Sequence, residues 1–264
     1  MSPKPLTHQP RKRFGQNFLI DTQIIHRIVS IIRPNVGEHL VEIGPGLGAL
    51  TLPVLQLTGE MDVIELDRDV IPILKSHAEG LGELRIHSHD ALSFDFSTLR
   101  HGPERLRVFG NLPYNISTPL MFHLLDQLDH IDDMHFMLQQ EVVTRLAAAP
   151  GSKAYGRLSV MVQYFCDVED RLTVPPESFK PAPKVMSAIV CLIPKRPLRE
   201  KANDFTVFSD VVHRAFAHKR KTLRNNLKDL LSEDDLRENG INPNERAENL
   251  PLEAFIKISN WLGK

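Results

Sequence analysis

From residue 39 to residue 149 the chain alternates short apolar runs with stretches whose apolar residues recur at helical spacing. No other feature narrows its fold as far. Segments 39–43, 61–66, 84–88, 106–110 and 135–138 read as strands. Segments 49–57, 68–77, 118–128 and 139–149 read as helices. Such alternation predicts a parallel sheet covered by helices on both faces. A helix capped by the Asp21 carboxylate precedes it, with Ile24, Ile25, Ile28, Val29 and Ile32 on one face. After a loop at 147–156, segment 157–165 reads as a helix. Segments 168–174 and 187–193 then close the sheet around a proline-rich loop, 175–184.

The strand signal ends at Pro194-Lys-Arg-Pro197. Beyond it 206–217, 219–231, 234–239 and 252–262 read as helices. At about 150 residues per domain, 264 residues make room for two. The expected division is a basic arm at 1–20, an α/β domain at 21–195 and a helical domain at 196–264.

The formal net charge is −1, which taken alone argues against a nucleic-acid partner. Its distribution argues the other way. Residues 1–20 hold Lys4, Arg11, Lys12 and Arg13 and no acid. Residues 213–228 hold Arg214, Lys219, Arg220, Lys221, Arg224 and Lys228, again with no acid. A single basic run is ordinarily a solvated surface; two acid-free runs on an acidic body point to an anionic partner. Cys166 and Cys191 lie in apolar runs, as reduced buried thiols do, and offer no disulfide or zinc framework. The N-terminus lacks the apolar core of a signal peptide, and no run approaches 18 apolar residues. Export and membrane insertion are not expected.

Four motifs carry chemistry. The first is Glu42-Ile-Gly44-Pro-Gly46-Leu-Gly48, a glycine turn between a strand and a helix, where backbone can approach an anionic or nucleotide ligand. Gly44, Gly46 and Ala49 also satisfy a dinucleotide pattern. The second is Glu65, which ends the next strand 21 residues after Gly44 and is placed for a ribose diol; Asp67 competes for that role. The third is Asp90, at the following strand end, placed for an adenine amine. His87 and His89 stand beside it, but no third histidine lies at metal-site spacing, so no metal is expected. The fourth and most specific is Asn111-Leu112-Pro113-Tyr114. This rigid turn offers an amide oxygen, a backbone carbonyl and an aromatic face.

Together these motifs resemble the S-adenosylmethionine-dependent adenine aminomethyltransferases. Three further segments, Arg11–Leu19, Phe179–Ser187 and Ala215–Asn225, resemble the bacterial small-subunit (16S) ribosomal RNA adenine dimethyltransferases within that group. The resemblance implies a Rossmann-like methyltransferase fold, with a mostly parallel seven-stranded sheet and a smaller all-helical C-terminal domain. It implies dimethylation of two adjacent adenosines in a hairpin loop near the 3′ end of the small-subunit rRNA, in the cytoplasm. The enzyme would act as a monomer on an immature small ribosomal subunit. Carried over to this chain, Asn17, Leu19, Gly44, Glu65, Asp90 and Asn111 would line the S-adenosylmethionine pocket. Asn111 and the Leu112 carbonyl, held by Pro113, would accept the target amine's hydrogens. Tyr114 and Phe179 would stack on the base. Arg11, Lys12, Arg13, Arg214, His218, Arg220, Lys221 and Arg224 would meet RNA.

Three other readings compete. A nicotinamide-dependent Rossmann dehydrogenase would use the same glycines and Glu65, but leaves Asn111–Tyr114 and the basic runs unexplained. A non-catalytic ribosome-assembly factor leaves the same turn unused. A resistance-type methylase of large-subunit rRNA would share the chemistry and differ in its RNA contacts.

Overall fold

The computed structural model describes residues 17–198 and 200–263. The strands are β1 (Phe18–Leu19), β2 (His39–Ile43), β3 (Glu60–Ile64), β4 (Glu83–His87), β5 (Leu106–Asn111), β6 (Ile131–Gln139), β7 (Cys166–Val174), β8 (Phe179–Lys180) and β9 (Ser187–Pro194). Seven of them form one sheet in the order β4-β3-β2-β5-β6-β9-β7. From β4 to β6 neighbouring strands are parallel, and β9 joins β6 antiparallel. The sheet is therefore the expected mostly parallel, seven-stranded one.

The helices interleaved with it are α1 (Thr22–Ile32), α2 (Thr51–Thr58), α3 (Ile71–Ala78), α4 (Ser117–Leu125) and α5 (Gln140–Leu146). Asp21 caps α1 as expected, accepting from the Gln23 and Ile24 amides at 2.9 and 3.2 Å. The apolar stripe of α1 is buried with Leu40, Leu55, Met61, Val63 and Phe109 in one core. Burial of this kind, at about 25 cal/mol per Å² of apolar surface, is what holds a helix so short against the sheet.

The described residues fall into two compact units, one within 1–143 with 169–194, the other within 144–168 with 195–264. The second unit therefore takes in the segment of α6 (Arg157–Phe165) as well as the C-terminal helices α7 (Phe205–Ala215), α8 (Leu223–Asn226), α9 (Glu233–Glu238) and α10 (Leu252–Leu262). Aromatic packing explains the grouping: the Tyr164 ring lies 4.6 Å from Phe208 and 5.8 Å from Phe205, centroid to centroid.

Two local expectations are corrected. The helix read over 219–231 reduces to the single turn of α8. The Asn226 side-chain amide donates to the carbonyls of Ala215 and His218, at 2.7 and 3.2 Å, so the backbone turns there instead of continuing as a helix. At the other end, residues 17–20 are not a free extension of an arm. Phe18 and Leu19 pair antiparallel with Lys180 and Phe179.

Candidate active site

From β2 the chain runs outward through β3 to β4, then returns to place β5 on the other side of β2. Helices leaving β2 and β5 diverge at such a point, and a crevice opens beyond the carboxyl ends of the strands. A cavity of about 630 Å³ lies there, within the usual range for a small-molecule site.

The glycine turn forms one wall. Gly44 donates its amide to the Ile64 carbonyl at 2.9 Å, extending the ladder one residue beyond the end of β2. Gly46 has φ +55°, and a Cβ there would stand 3.1 Å from the Phe18 ring. Glycine suits this left-handed backbone and leaves room for Phe18 to close over the loop. Phe18 was not legible as a site residue, because what brings it here is its long-range pairing with β8.

Glu65 follows β3, its amide held by the His87 carbonyl at 3.0 Å. Its carboxylate accepts from the amides of Gly46, at 3.1 Å, and Asp67, at 2.8 Å. It thereby ties the glycine loop to its own turn. Burial pushes its carboxyl up from the ordinary range, while the two amides pull the other way. Asp67, the competitor, is buried and lies outside the cavity lining; its carboxylate accepts from the Asp69 amide at 3.2 Å. Asp90 does line the cavity, and accepts from the Leu92 amide at 2.9 Å to cap the next turn.

The Asn111–Tyr114 turn forms the opposite wall. Gly110 lets it start here: a Cβ at that position would collide with the Ile43 backbone carbonyl in the neighbouring strand. Asn111 Nδ2 donates to the Asn17 carbonyl at 3.1 Å. With that nitrogen committed, Oδ1 is the acceptor the amide offers to a ligand. Leu112 is anchored through its amide to the Met137 carbonyl at 3.2 Å. Pro113 and Tyr114 complete the wall, and the Tyr114 hydroxyl lies 2.8 Å from Ser187 Oγ.

Glu42 lies at the base of the cavity, 2% exposed. Its Oε2 accepts from the Thr51 hydroxyl at 2.6 Å. Burial pushes its carboxyl up to about 8, Thr51 opposes the rise and Glu65 adds to it. Acceptors at Glu65 and Asp90, a largely protonated carboxyl at Glu42 and walls of Phe18, Leu47, Leu66 and Leu92 make a site for an amphipathic ligand that donates hydrogen bonds. That donor set fits S-adenosylmethionine, whose ribose and adenine need acceptors and whose sulfonium and ammonium are cationic.

Asn17, Leu19, Gly44, Glu65, Asp90 and Asn111 through Tyr114 thus meet around one cavity. Phe179 does not join them. It is 4% exposed, paired to Leu19 and packed in the core, with no face open to a base. Nor do the basic residues behave alike. Arg214 is paired with Asp210 at 2.8 Å and Arg224 with Glu233 at 3.2 Å, whereas His218, Arg220 and Lys221 are exposed on a turn. Arg11, Lys12 and Arg13 lie outside the described residues. His87 bonds Asp62 at 2.7 Å and His89 the Asp90 carbonyl at 3.0 Å. Among the described residues no group of three or more His, Cys, Asp or Glu side chains is arranged for a metal ion.

Comparison with known proteins agrees with this arrangement. Residues 7–264 match the family described as Ribosomal RNA adenine dimethylase. The chain is 53% identical over 257 residues to the Ribosomal RNA small subunit methyltransferase A of Pseudoalteromonas translucida, covering 97% of this chain and 96% of that one. It is 55% identical over 255 residues to the protein of the same name from Vibrio vulnificus, covering 97% and 95%. Among solved structures, a dimethyladenosine transferase from Plasmodium falciparum superposes with a TM-score of 0.79 at 27% identity, over 91% of this chain and 95% of that one. The 23S rRNA methyltransferase ErmE shares the fold, with a TM-score of 0.74 at 21% identity, over 94% of this chain and 100% of that one.

Proposed function

This chain belongs to the ribosomal RNA adenine dimethylase family, and from that premise we propose how its residues perform the reaction. It is an S-adenosylmethionine-dependent rRNA adenine dimethyltransferase. Its substrate is small-subunit rRNA, at two adjacent adenosines in the hairpin loop near the 3′ end, and the particle it meets is an immature small subunit in the cytoplasm. It works there as a monomer. Full-length relatives above 50% identity carry the small-subunit name, which favours this substrate over large-subunit rRNA. The family also sets the dehydrogenase aside. No helix among the described residues is long and apolar enough to cross a membrane.

One observation carries the reading: the Asn111–Tyr114 turn shares a cavity with Glu65 and Asp90. Glu65 holds the ribose hydroxyls of the cofactor and Asp90 its adenine amine; Asn17, Leu19 and the Gly44 loop shape the rest. When bound, S-adenosylmethionine supplies an electrophilic methyl on a positively charged sulfur. The target amine is a poor nucleophile because its lone pair is conjugated into the adenine ring. Asn111 Oδ1 and the Leu112 carbonyl accept its two hydrogens, so the nitrogen becomes tetrahedral and frees that pair. The neutral acceptors then stabilise the positive charge that develops before a proton leaves to water. This is positioning and electrostatic stabilisation, with no covalent enzyme intermediate. Tyr114 stacks on the base once it is splayed out of its loop.

Asn111→Ala tests this. Transfer of labelled methyl to immature small subunits should fall by about 10²-fold or more, as for loss of an electrostatic contact in a transition state. The calorimetric Kd for S-adenosylmethionine should stay within a few-fold. Turnover at the wild-type rate would remove Asn111 from the mechanism.

A further inference from the structure

Tyr114 is tied at both ends. Its backbone carbonyl accepts from the Ser117 hydroxyl at 3.1 Å, at the start of α4. Its phenolic oxygen lies 2.8 Å from Ser187 Oγ, 73 residues away in sequence. Ser187 is the first residue of β9 and wholly buried. The sheet fixes its place: Ser187 pairs with Gln139 at the end of β6, and the next amide, of Gln140, donates to the Met186 carbonyl at 3.0 Å. The ring between these anchors is only half-buried and lines the cavity.

A tyrosine that merely filled space here would not need this partner, because a half-buried phenol can turn its hydroxyl to water. A fully buried serine hydroxyl, in contrast, is costly unless paired. The pair therefore spends a buried polar group on fixing the tilt of one ring. We infer that Ser187 is a positioning residue for methyl transfer, a tether that sets the plane of Tyr114 and so the height and angle at which the target adenine meets Asn111. This rests on the reading of Tyr114 as the stacking ring. Displacing a reacting atom by about 1 Å can cost on the order of 10²-fold in rate, so a ring free to rock lowers kcat while the cofactor site stays intact.

The experiment is a double-mutant cycle with methyl transfer to unmethylated small subunits as readout. Ser187→Ala and Tyr114→Phe break the same bond from opposite ends. Each should lower kcat by roughly tenfold, the worth of about one hydrogen bond, and the double variant should be no worse than either. The calorimetric Kd for S-adenosylmethionine should hold. With 2-aminopurine replacing the target adenosine in an rRNA hairpin, both variants should also bind with less quenching of its fluorescence, reporting a poorly stacked base. Tyr114→Ala separates the two readings, since it removes the platform and should fall well below the other variants. If Tyr114→Ala is inactive while Ser187→Ala and Tyr114→Phe turn over normally, the tether is wrong and the stacking ring stands. Normal turnover by Tyr114→Ala overturns both. Should Ser187→Ala fail to fold, Tyr114→Phe decides alone, because it removes only a hydroxyl from a half-buried ring.

Discussion

Glu42 and Glu65 face one cavity and were not equally legible beforehand. Glu65 is found by counting, because a strand-end acid about 20 residues after a glycine turn has few other places to go. Glu42 is part of the glycine motif, but nothing in its spelling says that its carboxyl is buried against Thr51. The same holds for Ser187 and Phe18, whose contacts span the chain. Burial makes Glu42 a titrating group. Its value rises from 4.5 in the unfolded chain to about 8, so between those pH values the folded state keeps a proton the unfolded state gives up. The associated stability is fully present below about 4.5 and lost as pH climbs through 8. Glu42→Gln keeps an acceptor for Thr51 and cannot ionise. Its melting temperature should therefore gain on the wild type by several degrees between pH 5 and pH 8.5, at roughly 2–4 °C per kcal/mol for a protein of this size. Parallel melting curves across that range would show that Glu42 does not titrate there.

At the scale of elements, periodicity located α1 and β2 to β5 closely because nearly all their apolar residues are buried or half-buried. It failed where polar contacts decide the backbone. The strand β6 begins at Ile131 and runs through Asp132 and Asp133, residues that spell a turn. Asp133 belongs in a strand because Arg107 of β5 meets it at 2.8 Å. Asp62 is the sharper case, an acid 2% exposed in β3. It accepts from His39 of β2 at 2.9 Å, from Arg85 of β4 at 3.0 Å and from His87 of β4 at 2.7 Å. Burial works against its charge, but His39, Arg85 and His87 outweigh it and hold the carboxyl well below the ordinary range. One carboxylate thus staples three strands. Asp62→Ala strands those donors and should cost about 3 kcal/mol, read as a lower urea midpoint with an unchanged slope. An unshifted midpoint would reduce the staple to a surface contact.

Across the whole molecule the net charge is uninformative until it is divided, and even then the sequence overcounts. The acid-free run at 213–228 counts six basic residues, but α8 is a single turn, and Arg214 and Arg224 already have acidic partners. The exposed charge is concentrated at 218–221. Replacing Arg220 and Lys221 by Gln should flatten the dependence of log K on log salt for rRNA binding by about 1–2, given roughly 0.7–0.9 per phosphate contact. Arg224→Gln alone should leave that slope nearly unchanged. A double variant with the wild-type slope would return this turn to ordinary solvated surface.

The short β1–β8 ladder also has a bearing on biosynthesis. Phe18 and Leu19 wall the cavity, yet they are held there by Phe179 and Lys180, with the Ile20 amide on the Ser178 carbonyl at 2.9 Å. A ribosome making this protein emits the glycine turn, Glu65, Asp90 and Asn111 in its first half, but the clasp that shuts Phe18 over them arrives only when about two-thirds of the 264 residues have been joined. The nascent chain therefore carries most of the residues that wall the cavity for some time before the cavity can close.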